Sequence, residues 1–307
     1  MPQRNLPHRY MPLWIVYALL LVMPLLFSSN IIIGRAAMAY TPPVTMAFCR
    51  WVLALMILLP FCAADIRAHW PRIRANLPLL LLMGALAMGI CGAVVYIGLG
   101  RTEATNAALI YATSPIFILI IDALFYGAAL RARQILGIAL AFAGVALIVL
   151  RGEPQHILQL RLNDGDLLIG LASISWALYS ILLKRKSLAG IPTLAVFASV
   201  MAGGIVVLAP FFIFELMITG GLPAEPRAWA SIFGVALFPS VLAFSIYKFA
   251  IKQVGAPQTS MFLYLMPVYA AGLAVLFLGE VLHLYHIFGL LLVLPGIVIA
   301  TTGKVRA

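Results

Sequence analysis

Ten apolar runs, each about twenty residues long and separated by charges, Gly or Pro, constrain this chain more than any other feature. They cover about 12–34, 43–63, 77–99, 105–127, 134–150, 165–183, 192–217, 228–250, 257–279 and 286–303. A bilayer core is crossed by roughly 20 apolar residues of helix, and inside it each segment must satisfy its own main-chain polar groups. The chain therefore reads as all-α, a polytopic membrane protein of ten transmembrane helices. A soluble domain is excluded, since 64% of the 307 residues are hydrophobic and 9% charged, against about 45–50% and about 25% in ordinary globular chains. The first run is too long for a signal-peptide core and no small-residue cleavage site follows it, so it is expected to stay attached as the first helix. Cys49, Cys62 and Cys91 all fall inside apolar runs and read as small core residues, not a disulfide framework.

The net charge of +11 does not point to nucleic acid, because no loop carries a basic face with interleaved stacking aromatics. It is instead distributed as topology demands. Fourteen Lys and Arg fall on the side shared by both termini, five fall opposite, and Arg50 lies within a span. Positive residues in short loops resist translocation, so both termini are expected to be cytoplasmic.

Shifting the chain against itself by 152 residues aligns 101–148 with 253–300 and gives 10 identities in 48. These include Pro115 with Pro267, Gly127 with Gly279, Gly137 with Gly289 and Gly144 with Gly296, residues that fix backbone shape. A second alignment at an offset of 149 brings Phe27, Asn30 and Arg35 over Trp176, Tyr179 and Lys184. Each half thus holds five helices, 1–150 with helices 1–5 and 151–307 with helices 6–10, within one integral membrane unit. Five is odd, so the second half must thread the membrane upside down. A 5+5 inverted-topology repeat is a signature of secondary transporters, which bind substrate at the repeat interface and alternate access by rocking.

The residues that carry this pattern resemble the drug/metabolite transporter superfamily in its ten-helix EamA-type branch, over nearly the whole chain. They are Asn30 to Arg35, Phe48-Cys49-Arg50, Pro115 with Gly127, Gly137 and Gly144, Gly165-Asp166 through Trp176 and Lys184, and Pro267, Gly279-Glu280, Gly289 and Gly296. The chain looks most like the amino-acid exporters of that branch, aromatic amino acid exporters included. The resemblance implies transport across a bacterial inner membrane. The family's Glu after the Gly that closes each fourth-type span is kept as Glu280, whereas Ala128 replaces it in the first half.

Candidate site residues follow from polarity inside the spans. Pro115 cannot donate to the carbonyl of Tyr111, nor Pro267 to that of Leu263, so both helices are expected to kink there and to serve as hinges. Each freed carbonyl either faces a substrate path or is satisfied locally, in the first case by Ser114 or Thr113. Asn30, Tyr111, Ser175, Trp176, Tyr179, Ser245, Tyr247, Lys248 and Tyr264 are candidates to line the path, since aromatic rings rimmed by hydroxyls suit an amphipathic solute. Ser175 and Tyr179 share one helical face, as do Trp176 and Ser180. The competing readings are interfacial aromatic belts and Ser bonding its own i−4 carbonyl.

Charge at a helix centre costs about 2.5–3.5 kcal/mol on insertion scales. Arg50 lies roughly 10 Å below the outer boundary, seven residues past Pro43. It is read as a structural charge satisfying carbonyls at a neighbouring break, with a substrate carboxylate as the other option. Lys248 meets a carboxylate or snorkels, Asp122 pairs with Arg131 or reaches water, and Glu215 is solvated at the outer boundary. Glu280, His283 and His286 fall in a short outer turn and read as interfacial polar residues, with no metal or other cofactor expected. The first span lacks Asp and Glu, which weakens proton-coupled export of quaternary cations, and no deep basic cluster suits a phosphate dianion. No Walker loop, nucleophile elbow or H-E-x-x-H appears, so no enzyme is expected. The expectation is an exporter or facilitator of small amphipathic metabolites, hydrophobic or aromatic amino acids foremost, whose partners are that solute and membrane lipid. The alternatives are a drug or toxic-cation exporter, and a structural or lipid-handling membrane protein.

Overall fold

A computed structural model describes residues 12–102, 107, 110–127, 131–153, 163–278 and 283–301. Where described, the apolar runs are helical, and the described residues contain no strand. The helices of the bundle, among the described residues, are α1 (Leu13–Ala37), α2 (Pro43–Ala68), α3 (Leu77–Leu99), α4 (Ser114–Tyr126), α5 (Ala132–Val149), α6 (Asp164–Leu182), α7 (Thr193–Thr219), α8 (Pro226–Val254), α9 and α10 (Leu284–Thr301). α9 is built of Ala256–Met261, a 3₁₀ turn Phe262–Leu265 and Met266–Leu278. Eight of the ten are long and apolar enough to cross a bilayer. The other two, α4 and α9, are broken just ahead of Pro115 and Pro267. A short helix, Trp70–Ala75, links α2 to α3.

Helix starts are specified locally. Pro43 and Pro226 open α2 and α8, where a missing N–H costs nothing. At α6 a reciprocal cap forms: Asn163 Oδ1 accepts from Asp166 N at 3.1 Å, and Asp166 Oδ2 accepts from Asn163 N at 2.9 Å. The remaining Asp166 oxygen accepts from Thr102 Oγ1, tying the C-terminal end of α3 to the start of α6. Glu215 is not simply solvated. Its carboxylate reaches from α7 to accept from Val44 N at 3.1 Å, Thr45 N at 2.5 Å and Thr45 Oγ1 at 2.8 Å, capping α2 from a neighbouring helix.

The packing repeats about a two-fold axis. α1 packs on α8 and α9 while α6 packs on α3 and α4, and α2 packs on α7 and α8 while α7 packs on α2 and α3. α5 and α10, the fifth helices of the two halves, pack on each other. Gly137 lies against Gly296 and Ala300, and Gly144 against Gly289 and Val293, so these two helices run antiparallel. Exchanging the halves carries the contact Gly137–Gly296 onto Gly289–Gly144, as an in-plane dyad requires. Small residues let the backbones approach closely without side-chain obstruction. The described ends of the chain share one side, because Gln258 at the start of α9 donates both to Tyr17 of α1 at 2.8 Å and to the Thr301 carbonyl of α10 at 3.0 Å.

Both third-type helices widen to π-helix at matching places, Ala85–Val94 in α3 and Ala236–Ala243 in α8. Widening shifts the internal hydrogen-bond pattern and lets outside donors reach carbonyls. Ser175 of α6 donates to Leu86 O at 3.1 Å from outside the helix, whereas in α8 the Ser240 hydroxyl of the same helix donates to Val235 O, five residues back, at 2.7 Å.

Candidate functional site

Where the halves meet, seven aromatic rings from α1, α2, α6, α7 and α8 form a continuous cluster. Phe27 lies edge-on to Trp176 at 5.9 Å, Phe244 at 5.4 Å and Tyr247 at 6.2 Å. Trp176 contacts Tyr179, Phe244 and Tyr247 at 5.7, 5.3 and 4.9 Å. Phe244 joins Trp51 on one side at 5.2 Å and Phe197 on the other at 5.7 Å. All seven are between 0% and 8% exposed, so the rings fill the interface in this conformation. Each edge-to-face pair contributes about 0.5–1.5 kcal/mol beyond area burial.

Two buried cations bracket the cluster. Arg50, 3% exposed, stacks over Trp51 at 4.5 Å. Its Nη1 donates to Asn30 Oδ1 at 3.0 Å and to the Tyr96 hydroxyl at 2.7 Å, and that hydroxyl donates to the same Asn30 oxygen at 2.8 Å. Arg50 is thus engaged by side chains of α1 and α3, where the sequence suggested carbonyls at a neighbouring helix break. Lys248, 2% exposed, lies with its Nζ 4.2 Å from the Phe197 ring centre and 5.5 Å from that of Tyr179. It neither snorkels nor meets a carboxylate, and its Nζ has no hydrogen-bond partner. Ring faces offset its charge in part, by about 0.5–2 kcal/mol each.

The other candidates divide. Trp176, Tyr179 and Tyr247 belong to the cluster, and the Tyr247 hydroxyl pairs with Ser180 Oγ at 2.7 Å. This bond joins α6 to α8 as the Asn30–Tyr96 bond joins α1 to α3. Ser175 is engaged by the π segment of α3, and Asn30 Oδ1 by Arg50 and Tyr96. Ser245 lies apart, on an apolar groove with Leu19, Leu194 and Phe249. Tyr111 packs in a satellite cluster with Val95, Ala107, Ile169 and Ala172. Tyr264 is buried in the 3₁₀ turn of α9 with its hydroxyl unpartnered. Sequence reasoning missed Trp51, Tyr96, Phe197 and Phe244. The Phe and Trp residues resemble any other apolar residue of a span, whereas Tyr96 was findable as the mate of Tyr247 at an offset of 151.

Both proline breaks are present, and their carbonyls are taken. Residues 112–113 form a turn before Ser114–Tyr126, and Ser114 Oγ donates to Tyr111 O at 2.6 Å. At the second break the Leu263 carbonyl accepts from Met266 N. Neither faces a path as a free acceptor. Each break is also tied to the opposite half: Ser173 of α6 pairs with Ser114 Oγ at 2.9 Å, and Ser28 of α1 donates to Met266 O at 2.9 Å. Asp122 does not pair with Arg131, and its side chain is only 6% exposed. It accepts from Nζ of Lys184, two residues past α6, at 2.5 Å, joining the ends of α4 and α6. His283 N donates to His286 Nδ1 at 3.1 Å, while Glu280 lies outside the described residues.

Comparison with known proteins agrees with this architecture. "Uncharacterized transporter YyaM" of Bacillus subtilis is 26% identical over 292 residues, covering 95% of this chain and 94% of that one. "Uncharacterized inner membrane transporter YedA" of Escherichia coli K12 is 29% identical, covering 96% and 94%. A "probable terminal-alkyne amino-acid exporter" of Streptantibioticus cattleyicolor is 28% identical over 73% of each chain. A solved crystal structure superposes with a TM-score of 0.75 over 93% of this chain and 97% of that one, at 17% identity, a likeness of fold. The profile of the EamA-like transporter family matches residues 14–150 and 163–302, whose starts lie 149 apart and ends 152 apart, the two offsets of the internal repeat. This integral, multi-pass membrane protein belongs to the EamA-like transporter family.

Proposed function

We infer that this transporter exports, or facilitates the movement of, small amphipathic metabolites, with hydrophobic and aromatic amino acids the favoured class. It works by alternating access across the inner membrane, with both chain ends in the cytoplasm. The observation that carries this reading is the aromatic cluster at the interface of the halves, with Trp176, Tyr179, Phe244 and Tyr247 packed beside Lys248. Inverted-repeat carriers bind substrate at this interface. Rings give an apolar side chain a matching surface, and the buried cation gives a carboxylate a partner. With the rings this closed, entry of a solute requires the halves to move apart on one side, and the breaks ahead of Pro115 and Pro267 are placed to absorb that motion as hinges. The relative named as an amino-acid exporter supports the substrate class. The excess of Lys and Arg on the side of the chain ends supports the orientation.

The test is efflux from liposomes containing purified protein and preloaded with labelled phenylalanine, tryptophan, leucine, glutamate or lysine. Protein-dependent efflux is expected for the first three and little for the last two. No protein-dependent efflux of any amino acid would remove the reading. Orientation is checked by labelling single cysteines placed at each end of the chain, both of which should be protected from an impermeant outside reagent in intact cells.

A further inference from the structure

The unsatisfied polar groups of the described core share one property. The buried side-chain atoms without a hydrogen-bond partner are Thr41 Oγ1, Arg50 Nε, Trp51 Nε1, Trp176 Nε1, Tyr179 OH, Ser245 Oγ, Lys248 Nζ and Tyr264 OH. Every one can donate, and the Arg, Lys and Trp nitrogens can do nothing else. Four of the eight, on Arg50, Trp51, Trp176 and Lys248, are nitrogens without an acceptor role, while the nearby Asn30 Oδ1 already takes two donors. Native interiors pair nearly all buried polar groups, so a surplus of donors on one side of the balance marks the place of an absent acceptor.

The surplus is concentrated at Lys248. Its ammonium is fully enclosed, aimed between the Phe197 and Tyr179 rings, with the unpartnered Tyr179 hydroxyl and Trp176 indole N–H in the same cluster. An ionisable group buried in a bundle without a partner is a functional-site signal, because removing it from water has no structural return. The carboxylates of the described residues lie in loops or within about a turn of a helix end. Asp122 is held by Lys184, Asp166 by Asn163 and Thr102, and Glu215 by the start of α2. Among the described residues, a solute's ammonium entering the cluster would therefore meet two basic side chains and no carboxylate.

We propose that Lys248 is the anchor for the substrate's carboxylate, with the Tyr179 hydroxyl as its second donor, and that the site recognises an organic monocarboxylate with an aromatic or branched apolar tail. The carboxylate is required and the ammonium of an amino acid is dispensable. This deepens the transport reading by dividing its substrate class according to which charged group is read.

Three probes of one skeleton separate the groups: phenylalanine carries both, phenylpyruvate only the carboxylate, and 2-phenylethylamine only the ammonium. Each is measured by thermal stabilisation of the purified protein and by competition with labelled phenylalanine for efflux from liposomes. Phenylpyruvate is expected to stabilise and compete at least as well as phenylalanine, and 2-phenylethylamine to do neither. Lys248→Met should weaken both carboxylates by roughly tenfold or more, the loss of one charge-assisted hydrogen bond. Lys248→Arg should keep part of the affinity, and Tyr179→Phe should fall between. Should Lys248→Met not fold, the Arg and Phe variants decide. Stabilisation by 2-phenylethylamine but not phenylpyruvate, wild-type affinity in Lys248→Met, or no binding of any probe would overturn the anchor. Phenylalanine efflux that ignores Lys248 sinks the anchor and leaves transport standing. Lys248-dependent binding of phenylpyruvate without efflux of any solute does the reverse.

Discussion

A methyl group placed at Gly137 tests the two-fold architecture directly. A Cβ there would lie 2.6 Å from both the Gly296 carbonyl oxygen and the Ala300 amide nitrogen, where ordinary contact begins at 3.4 Å. Both obstructing atoms are backbone, so no rotamer change relieves the overlap, and α5 and α10 must separate by about 0.8 Å locally. Overpacking of this kind costs about 1–3 kcal/mol, and rigid neighbours place Gly137→Ala at the upper end. Gly296→Ala meets the same contact from the other side, with Gly137 O at 2.7 Å and Ala141 N at 2.6 Å. Once either methyl has parted the helices, the second finds space already made. The double variant should therefore cost less than the sum of the singles, by about 1 kcal/mol. The dyad mates Gly144 and Gly289 should show the same subadditivity, since their Cβ positions fall 2.6 and 2.9 Å from each other's carbonyl oxygens. Cys49 and Cys62 are free and buried, so a thiol-reactive dye reports thermal unfolding without further engineering. A melting midpoint for Gly137→Ala at or above wild type, or strictly additive doubles in both pairs, would refute the close antiparallel crossing.

Three further outcomes are expected. Glu215→Gln should destabilise the protein by about 1–2 kcal/mol in the same dye assay, because a charged cap is lost from α2; no change would show that the reach from α7 contributes nothing. Lys184→Ala should cost about 1–3 kcal/mol by leaving Asp122, whose side chain is only 6% exposed, without its partner, and adding Asp122→Asn should restore most of the loss. A double variant as unstable as the single would argue that the lysine acts by packing on Tyr126, over which its Nζ lies at 4.5 Å. Pro115→Ala and Pro267→Ala should slow turnover more than they weaken substrate binding, since each heals a break with a returned N–H; unchanged turnover in both would reject the hinges.

Part of the candidate aromatic cluster was legible beforehand, though little of its detail. Trp176, Tyr179, Tyr247 and Lys248 were singled out because polarity and aromaticity inside an apolar span are conspicuous, and they share one cluster. Ser175 and Asn30 were singled out on the same ground, yet their polar atoms bond to neighbouring helices. Pattern alone does not distinguish a hydroxyl awaiting a solute from one engaged by a carbonyl 89 positions away. Asp122 and Glu215 show the same limit, since Lys184 and Thr45 become their partners only when α6 meets α4 and α7 meets α2.

Hydropathy, the Gly and Pro register and the odd helix count determined ten helices in two inverted halves, because lipid leaves the backbone no other solution and an odd repeat must flip. Which rings meet, which cation is left without a counter-charge and which serines close the proline breaks were decided only by tertiary packing. Those properties belong to pairs of residues brought together from different helices, and a linear chain records each partner without recording the encounter.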